Sequence, residues 1–200
     1  MTVIISSNWG LTSKLVRNIN NMSGLRVVLL SCCAPCSAGA IKQLADRAIP
    51  DVSDFIVLFY NPNIFPESEY TKRMREQIKY CESIGAKYVV LEYDHDAWRD
   101  AVRGLEMEPE RGARCSVCFE YRFRRAVKFA RENGYNAIAS VLGVSRHKDQ
   151  SQVDVAAQTE CSDIRYLPIK WDEGLRVQIN RESDFYRQNY CGCEFSIRKV

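Results

Sequence analysis

Residues 25–37, LRVVLLSCCAPCS, decide the fold of this chain. The stretch opens with a short apolar run rich in Val and Leu, LRVVLLS (25–31), which predicts a strand buried on both faces of a parallel sheet. Three cysteines follow within five positions, at the point where that strand should end. Ligands of open parallel sheets bind beside the carboxyl ends of the strands, so the stretch predicts where the chemistry lies.

Strand-like and helix-like patterns alternate along the rest of the chain. Further strands are expected at 54–60, 86–94, 136–142 and, more weakly, 164–169, and helices at 37–47, 66–84, 97–105, 115–133 and 150–160. Such alternation implies right-handed crossovers between parallel strands. The predicted fold is therefore α/β, with three layers and a mainly parallel sheet.

The composition fits one domain in a reducing compartment. The chain has 200 residues, of which 46% are hydrophobic, and residues 25–200 are expected to form a single α/β domain. Residues 1–24 are predicted to be an N-terminal arm or short capping segment. No signal peptide and no apolar run of about 18 residues is visible, so we expect a cytoplasmic protein without a membrane partner. Disulfides rarely persist there, so nine cysteines indicate metal binding or redox chemistry.

Seven of the nine cysteines fall into three groups. They are C-C-x-x-C (Cys32, Cys33, Cys36), C-x-x-C (Cys115, Cys118) and C-x-C (Cys191, Cys193). The spacing leaves an iron–sulfur cluster, a structural zinc and a thiol redox couple open. The adjacent pair favours the cluster, because zinc ligands normally come as two spaced pairs. Cys81 and Cys161 stand alone and are expected to be core residues.

A basic segment coincides with the second cysteine pair. Between residues 111 and 131 there are seven basic residues and one acid, an excess that RNA would attract, although a solvated helix face would look the same. On the expected helix, Cys115, Cys118, Arg122 and Arg125 share one face. This face predicts thiolates at the helix N-terminus and a phosphate clamp beside them, unless both arginines are merely solvated.

Polar residues follow two more of the predicted strands. Tyr60, Asn61 and Asn63 come after the strand at 54–60, where they either line the site or serve the turn. His147 follows the strand at 136–142 and is either a proton donor or a surface residue. No glycine-rich phosphate loop is present, so the sequence gives no indication of nucleotide binding.

Five segments together resemble the QueH family of epoxyqueuosine reductases. They are LLSCCAPCS (29–37), FYNPNIFPESEY (59–70), EYDHDAWRDAVRGLEMEPERGARCSVCFEYRF (92–123), SVLGVSRHKDQ (140–150) and DFYRQNYCGCEFS (184–196). The resemblance implies an oxidoreductase that converts epoxyqueuosine at the wobble position of tRNA to queuosine, the last step of that modification. It also implies a [4Fe–4S] cluster with a further iron nearby, and an α/β core similar to that of tRNA-thiolating enzymes.

The resemblance also implies roles for individual residues. The cluster ligands would be Cys32, Cys33, Cys115 and Cys118. The family's C-G-C corresponds to Cys191 and Cys193, expected to be redox-active or to bind the adjacent iron, and Cys36 would serve either role. Candidate substrate contacts are Tyr60, Asn61, Asn63, Arg122 and Tyr190, since unstacked bases are recognised by aromatic and basic groups. The expected partners are tRNA carrying epoxyqueuosine and an unidentified electron donor.

Two departures and two alternatives accompany this interpretation. Leu30 and Ser31 stand where the family often has a histidine, and IKWDEG (169–174) replaces a more lysine-rich segment. A zinc-stabilised RNA-binding domain would also explain spaced cysteines beside basic residues. A thiol-based tRNA sulfur-transfer protein would require ATP, for which no phosphate loop is visible.

Overall fold

A six-stranded sheet organises the chain. The computed structural model describes residues 4–5 and 24–197. The strands are β1 (Ile4–Ile5), β2 (Leu25–Ser31), β3 (Val52–Phe59), β4 (Tyr88–Val90), β5 (Ala137–Ser140) and β6 (Arg165–Tyr166), in the order β1-β4-β3-β2-β5-β6. Strands β2 to β6 are parallel, and β1 runs antiparallel to β4. The predicted α/β fold with a mainly parallel sheet is confirmed.

In the part of the chain that the structure describes, six helices cover the sheet. They are α1 (Ala34–Ala45), α2 (Glu67–Ser83), α3 (His95–Ala101), α4 (Ala113–Glu132), α5 (Gln150–Glu160) and α6 (Glu173–Glu182), with 3-10 turns at Leu142–Val144 and Glu194–Ser196. Helix α1 packs with α2 and α6, while α4 packs with α3 and α5. Among the described residues, none of the helices combines the length and apolar character that a membrane crossing requires.

Strand β2 lies at the centre of the sheet. Its residues Val27 to Leu30 are fully buried, and it pairs with β3 on one side and β5 on the other. The chain leaves β2 toward β3 and later returns to its opposite side as β5. This reversal is the switch point at which open α/β sheets form a crevice. The first cysteine group follows β2 and therefore lies at that crevice.

The structure differs from the sequence-based prediction at several element boundaries. Helix α1 begins at Ala34 rather than Ser37, because Pro35 fits the first turn, where its missing N–H is not needed. Helix α6 was not predicted: none of its residues is buried, so its apolar stripe is weak. The predicted arm over residues 1–24 lies outside the described residues, apart from strand β1 and Gly24.

Candidate metal centre and adjoining pocket

The first cysteine group lies where β2 gives way to α1. Cys32 and Cys33 are buried, and Cys36 in the first turn of α1 is partly exposed. The three sulfur atoms lie within 4.8 Å of one another, with 3.9 Å between Cys32 Sγ and Cys33 Sγ. All three are free thiols. Because thiolates are preferred ligands of iron–sulfur clusters and zinc, this group is suited to bind a metal.

The second group lies in the first two turns of α4. Cys115 and Cys118 are about one turn apart, and Cys118 is buried. The backbone N–H of Arg111 donates to Cys115 Sγ at 3.3 Å. Burial raises the pKa of both thiols, since the charged form loses its hydration. Metal binding at this pair therefore releases protons.

The third group depends on Gly192, which separates Cys191 from Cys193. Gly192 has a φ of +101°, and a Cβ there would lie 2.9 Å from both Arg73 Nη1 and Ile64 Cγ1. Only glycine accepts both this conformation and this contact. Arg73 Nη1 also donates to the Cys191 carbonyl at 3.2 Å, which fixes the segment to α2.

The three cysteine groups meet at one place. The second and third groups line a small, partly enclosed cavity of about 20 Å³, here named the enclosed cavity to distinguish it from its more open neighbour. Cys191 also lines an adjoining open pocket with Cys32 and Cys36, and His147 and Lys148 line both spaces. Groups that are far apart in the sequence therefore form the walls of one site at the carboxyl edge of the sheet.

In the first group, Cys32 is the thiol that ionises most readily. Hydrogen bonds from Cys33 and Cys36 hold the pKa of Cys32 well below its usual value, and the positive charge of Lys148 acts in the same direction. The same hydrogen bonds raise the pKa of Cys33 to about 12 and that of Cys36 well above its usual value. The group therefore favours one thiolate stabilised by two protonated thiols.

The third group is polarised in the same way. A hydrogen bond from Cys193 lowers the pKa of Cys191 to about 6, helped by the charge of Lys148. Cys193 keeps its proton, because sharing it with Cys191 and burial both raise its pKa. Cys191 is therefore the thiol of the pair that ionises at neutral pH, the form in which a thiol can act as a nucleophile or a metal ligand.

Unpaired polar atoms surround the enclosed cavity. Asn63 Oδ1, Trp98 Nε1 and Arg122 Nη1 are buried and have no hydrogen-bond partner among the described residues. Their side chains line the cavity together with the cysteines. Buried polar atoms of this kind call for a partner, and the cationic Arg122 and Lys148 would offset thiolate charge. The lining therefore fits an anionic metal–thiolate centre.

Asn61 and Arg122 link the first two cysteine groups. Asn61 Nδ2 donates to the carbonyl of Ser31, the residue just before the first group, at 3.0 Å. Arg122 Nη2 donates to Asn61 Oδ1 at 2.5 Å, and Arg122 Nε donates to the Tyr60 carbonyl at 3.1 Å. Arg122 stands on the same helix as Cys118, so these bonds fix α4 against the end of β2.

Comparison with known proteins identifies the family. The model of the family described as "Epoxyqueuosine reductase QueH" matches residues 27–199. The chain belongs to the QueH family. The site described above thus lies within a member of an oxidoreductase family.

Named QueH relatives match over most of the chain. The epoxyqueuosine reductase QueH of Histophilus somni is 39% identical over 180 residues, covering 86% of this chain and 72% of the relative. That of Acinetobacter baylyi is 38% identical, covering 86% and 81%. That of Thermotoga maritima is 29% identical, covering 86% and 90%. The QueH resemblance seen in the cysteine-containing segments is confirmed.

A solved structure shares the fold. The U34-tRNA thiolase NcsA from Methanococcus maripaludis, solved with its [4Fe–4S] cluster, superposes with a TM-score of 0.56 and 16% sequence identity. The match covers 88% of this chain and 61% of the thiolase. The predicted similarity of this QueH-family chain to the core of tRNA-thiolating enzymes is confirmed at the level of fold.

The phosphate clamp predicted on α4 is wrong for this QueH-family chain. Arg122 is fully buried, and Arg125 is paired with a carboxylate. Three arginines of the helix are neutralised by carboxylates from α5 and from two loops, in the pairs Arg124–Glu160, Arg125–Glu92 and Arg131–Asp163. Arg114 is buried as well and donates to backbone carbonyls of residues 105, 106 and 108. The basic segment is therefore mostly committed to the fold rather than free to attract RNA.

The five predicted substrate-contact residues do not all lie at the site: some hold the surrounding fold and others line the cavity or the pocket. Tyr60 is buried with its hydroxyl 2.8 Å from Asp94 Oδ2, and the amide of Asn61 is bonded on both sides, so the structure gives both a positioning role. Asn63 and Arg122 line the enclosed cavity. Tyr190 lines the open pocket and donates its hydroxyl to the Phe65 carbonyl. Contact of any of them with the substrate stays a prediction.

Sequence reasoning missed several residues of the site. Lys148, Arg146 and Gln188 line the open pocket, and Gln188 Nε2 donates to Cys33 Sγ at 2.7 Å. Trp98 lines the enclosed cavity from α3. The sequence does contain a signal for Arg146 and Lys148: both belong to the segment SRHKDQS (145–151), which follows a central strand of the sheet and so lies near its carboxyl edge. For Trp98 no local signal exists, since a tryptophan in an amphipathic helix reads as core.

Proposed function

We propose that this chain reduces epoxyqueuosine to queuosine in tRNA with an iron–sulfur centre. The observation that carries the proposal is the meeting of three cysteine groups at the switch point of the sheet, in a chain of the QueH family. Removal of the epoxide oxygen as water consumes two electrons and two protons, so the site needs a source of both. An external electron donor must supply the electrons.

The proposed ligands of a [4Fe–4S] cluster are Cys32, Cys33, Cys115 and Cys118. Support comes from their burial or half-burial at one site and from the cationic Arg122 and Lys148 beside them. Cys191 and Cys193 would hold an additional iron or act as a redox pair, and Cys36 would assist either centre. When bound, the cluster and the iron would supply electrons and a Lewis-acidic position.

The chain's own residues would supply protons and orientation. His147 lines both spaces, and its Nδ1 lies 3.4 Å from Glu110 Oε2, which orients the ring. We propose that His147 gives a proton to the departing epoxide oxygen. Lys148 would stabilise the developing negative charge there, because it lines both spaces together with Cys191.

An anaerobic assay on tRNA that contains epoxyqueuosine tests the proposal. The purified protein should be brown and hold about four or more irons per chain. Cys33→Ala should lose the colour, whereas Cys193→Ala should keep the colour and lose turnover. Cys161→Ala, at a partly exposed cysteine outside the three groups, is the matched control and should keep both.

Two outcomes would contradict the proposal. A colourless protein with stoichiometric zinc would indicate the zinc-stabilised RNA-binding domain instead. Colour that survives Cys33→Ala would refute the ligand assignment while leaving the reductase activity to be judged by the assay.

A further inference from the structure

The open pocket beside the cysteines has a basic lining. Its basic side chains come from α2, from the loop before α5, from α6 and from the segment after α6. They are Arg73, Arg146, His147, Lys148, Arg176 and Arg187. No aspartate or glutamate lines it among the described residues. Its volume of about 180 Å³ is smaller than the roughly 300–1,000 Å³ of pockets that enclose whole small ligands. The pocket is therefore suited to part of a larger anionic molecule.

We propose that Arg146 and Arg187, on the rim of this pocket, bind RNA phosphates on either side of the nucleotide that enters it. The inference rests on the proposed function and names the surface that holds the tRNA. RNA loops are read by splaying one base into a pocket while basic groups hold the neighbouring backbone. The phosphates then remain outside, at the rim.

The rim arginines carry charge that the protein does not neutralise. Within the part of the chain that the structure describes, neither Arg146 nor Arg187 lies within salt-bridge distance of a carboxylate, and both are exposed. Arg187 Nη2 donates to the Asn180 carbonyl at 2.9 Å, which orients the guanidinium without cancelling its charge. Arg176, also at the pocket, is paired with Glu173 at 2.9 Å and contributes less.

The rim arginines differ from the exposed arginines of α4 in having no carboxylate partner among the described residues, which is why we assign RNA binding to the rim and not to α4. The arginines of α4 outnumber those of the rim, yet Arg124 and Arg131 each lie against a carboxylate. An arginine already paired with a carboxylate displaces few counterions from RNA when the RNA binds. An unpaired arginine displaces about one counterion for each phosphate that it contacts. The rim arginines also come from two separate segments, the loop before α5 and the segment after α6. Both line the pocket together with Cys36 and Cys191. Two basic groups carried by separate segments can each contact a different phosphate of one RNA backbone.

A pair of double variants tests the inference. R146Q/R187Q removes two rim charges, and R124Q/R131Q removes the same number of charges from α4. Binding of labelled tRNA containing epoxyqueuosine to the iron-loaded full chain is measured by anisotropy across a salt series. The rim variant should bind about tenfold or more weakly, with a salt slope smaller by about two. The α4 variant should stay within about twofold of the unchanged protein, and both should keep their iron.

A lysine double variant and the turnover assay distinguish failure of the rim inference from failure of the reductase proposal. R146K/R187K should recover most of the affinity, because a phosphate accepts a point charge. Equal weakening by both glutamine variants, or weakening by the α4 variant alone, would overturn the inference. If the unchanged protein turns over tRNA and R146Q/R187Q keeps its Kd and kcat/KM, the rim inference fails and the reductase stands. If the rim variant loses binding but the unchanged protein shows no turnover, only the reductase proposal fails.

Discussion

Arg122 shows how a single residue can have a role opposite to the one its sequence position indicates. It follows the second cysteine pair at helical spacing, which predicts a guanidinium that faces solvent beside the site. The structure buries it completely and uses its N–H groups to hold the Tyr60 carbonyl and the Asn61 amide. The partners come from the loop after β3, far along the chain, so local pattern could not reveal them.

Replacing Arg122 should therefore affect stability first. Arg122→Met keeps the aliphatic part of the side chain but leaves the Tyr60 carbonyl and Asn61 Oδ1 without donors in the interior. We expect the free energy of unfolding to fall by about 3 kcal/mol, since each hydrogen bond from a charged donor contributes about 1.5–3 kcal/mol. Urea denaturation of the full chain under anaerobic conditions measures it.

Arg124→Met is the matched control for this prediction. Arg124 lies two residues further along α4, but its side chain is 65% exposed and paired with Glu160 at the surface. Such pairs contribute less than about 1 kcal/mol. Similar losses in the two variants would show that Arg122 does not support the site in the way the structure indicates.

At the scale of elements, α6 packs against the helix that begins at the first cysteine group, although it buries none of its own residues. That helix is α1, and the chain continues from α6 to Cys191 and Cys193. The two helices approach closely at Gly39, where a Cβ would lie 3.0 Å from both Cα and Cβ of Arg176. The spacing of α1 and α6 thus depends on one glycine.

Gly39→Ala should destabilise the chain although alanine is the better helix former. The substitution gains up to about 1 kcal/mol of helix propensity, but overpacking against backbone atoms costs about 1–3 kcal/mol. We expect a net loss of about 1 kcal/mol and a lower Tm in thermal denaturation. Gly174→Ala in α6 is the control: its Cβ would approach only the Asp172 side chain, at 3.2 Å, so stability should stay level or rise. A Tm raised by Gly39→Ala would refute the close packing of the two helices.

The elements that the sequence predicted well are those whose signals are local. The strand at 25–31 and the helix at 150–160 were predicted with the bounds observed. The strand is marked by a continuous apolar run and the helix by an amphipathic pattern, and each signal lies within its own segment. The position of the first cysteine group at the carboxyl edge of the sheet also followed from sequence, whereas a site shared by the first two groups was implied only by the QueH resemblance. The neutralisation of α4 did not, since Glu92 and Glu160 belong to other parts of the chain, a loop after β4 and helix α5. Helix α6 was missed because it has no fully apolar face.

At the scale of the whole molecule, buried thiols and phenols limit the pH range of stability. Burial raises the pKa of Cys81 to about 12 from 9.0, and raises the pKa values of Tyr80 and Tyr135 to about 12 from 10.0. Between the unfolded and folded values, these groups keep their protons in the native state and lose them on unfolding. The unfolded state then binds fewer protons, so stability falls as the pH rises through this range.

The loss of stability with rising pH can be measured at a single residue outside the proposed metal site, Cys81. It is fully buried in α2, with Gln77 Nε2 donating to its sulfur at 3.4 Å. Its stabilising contribution is fully present below about pH 9 and should fall by about 2 kcal/mol between about pH 8 and about pH 10.5. Cys81→Ala removes this titration, so its free energy of unfolding should fall less over the same range, as measured by anaerobic urea denaturation at both pH values. An equal fall in both proteins would mean that the Cys81 thiol ionises in the folded state as easily as in the unfolded chain.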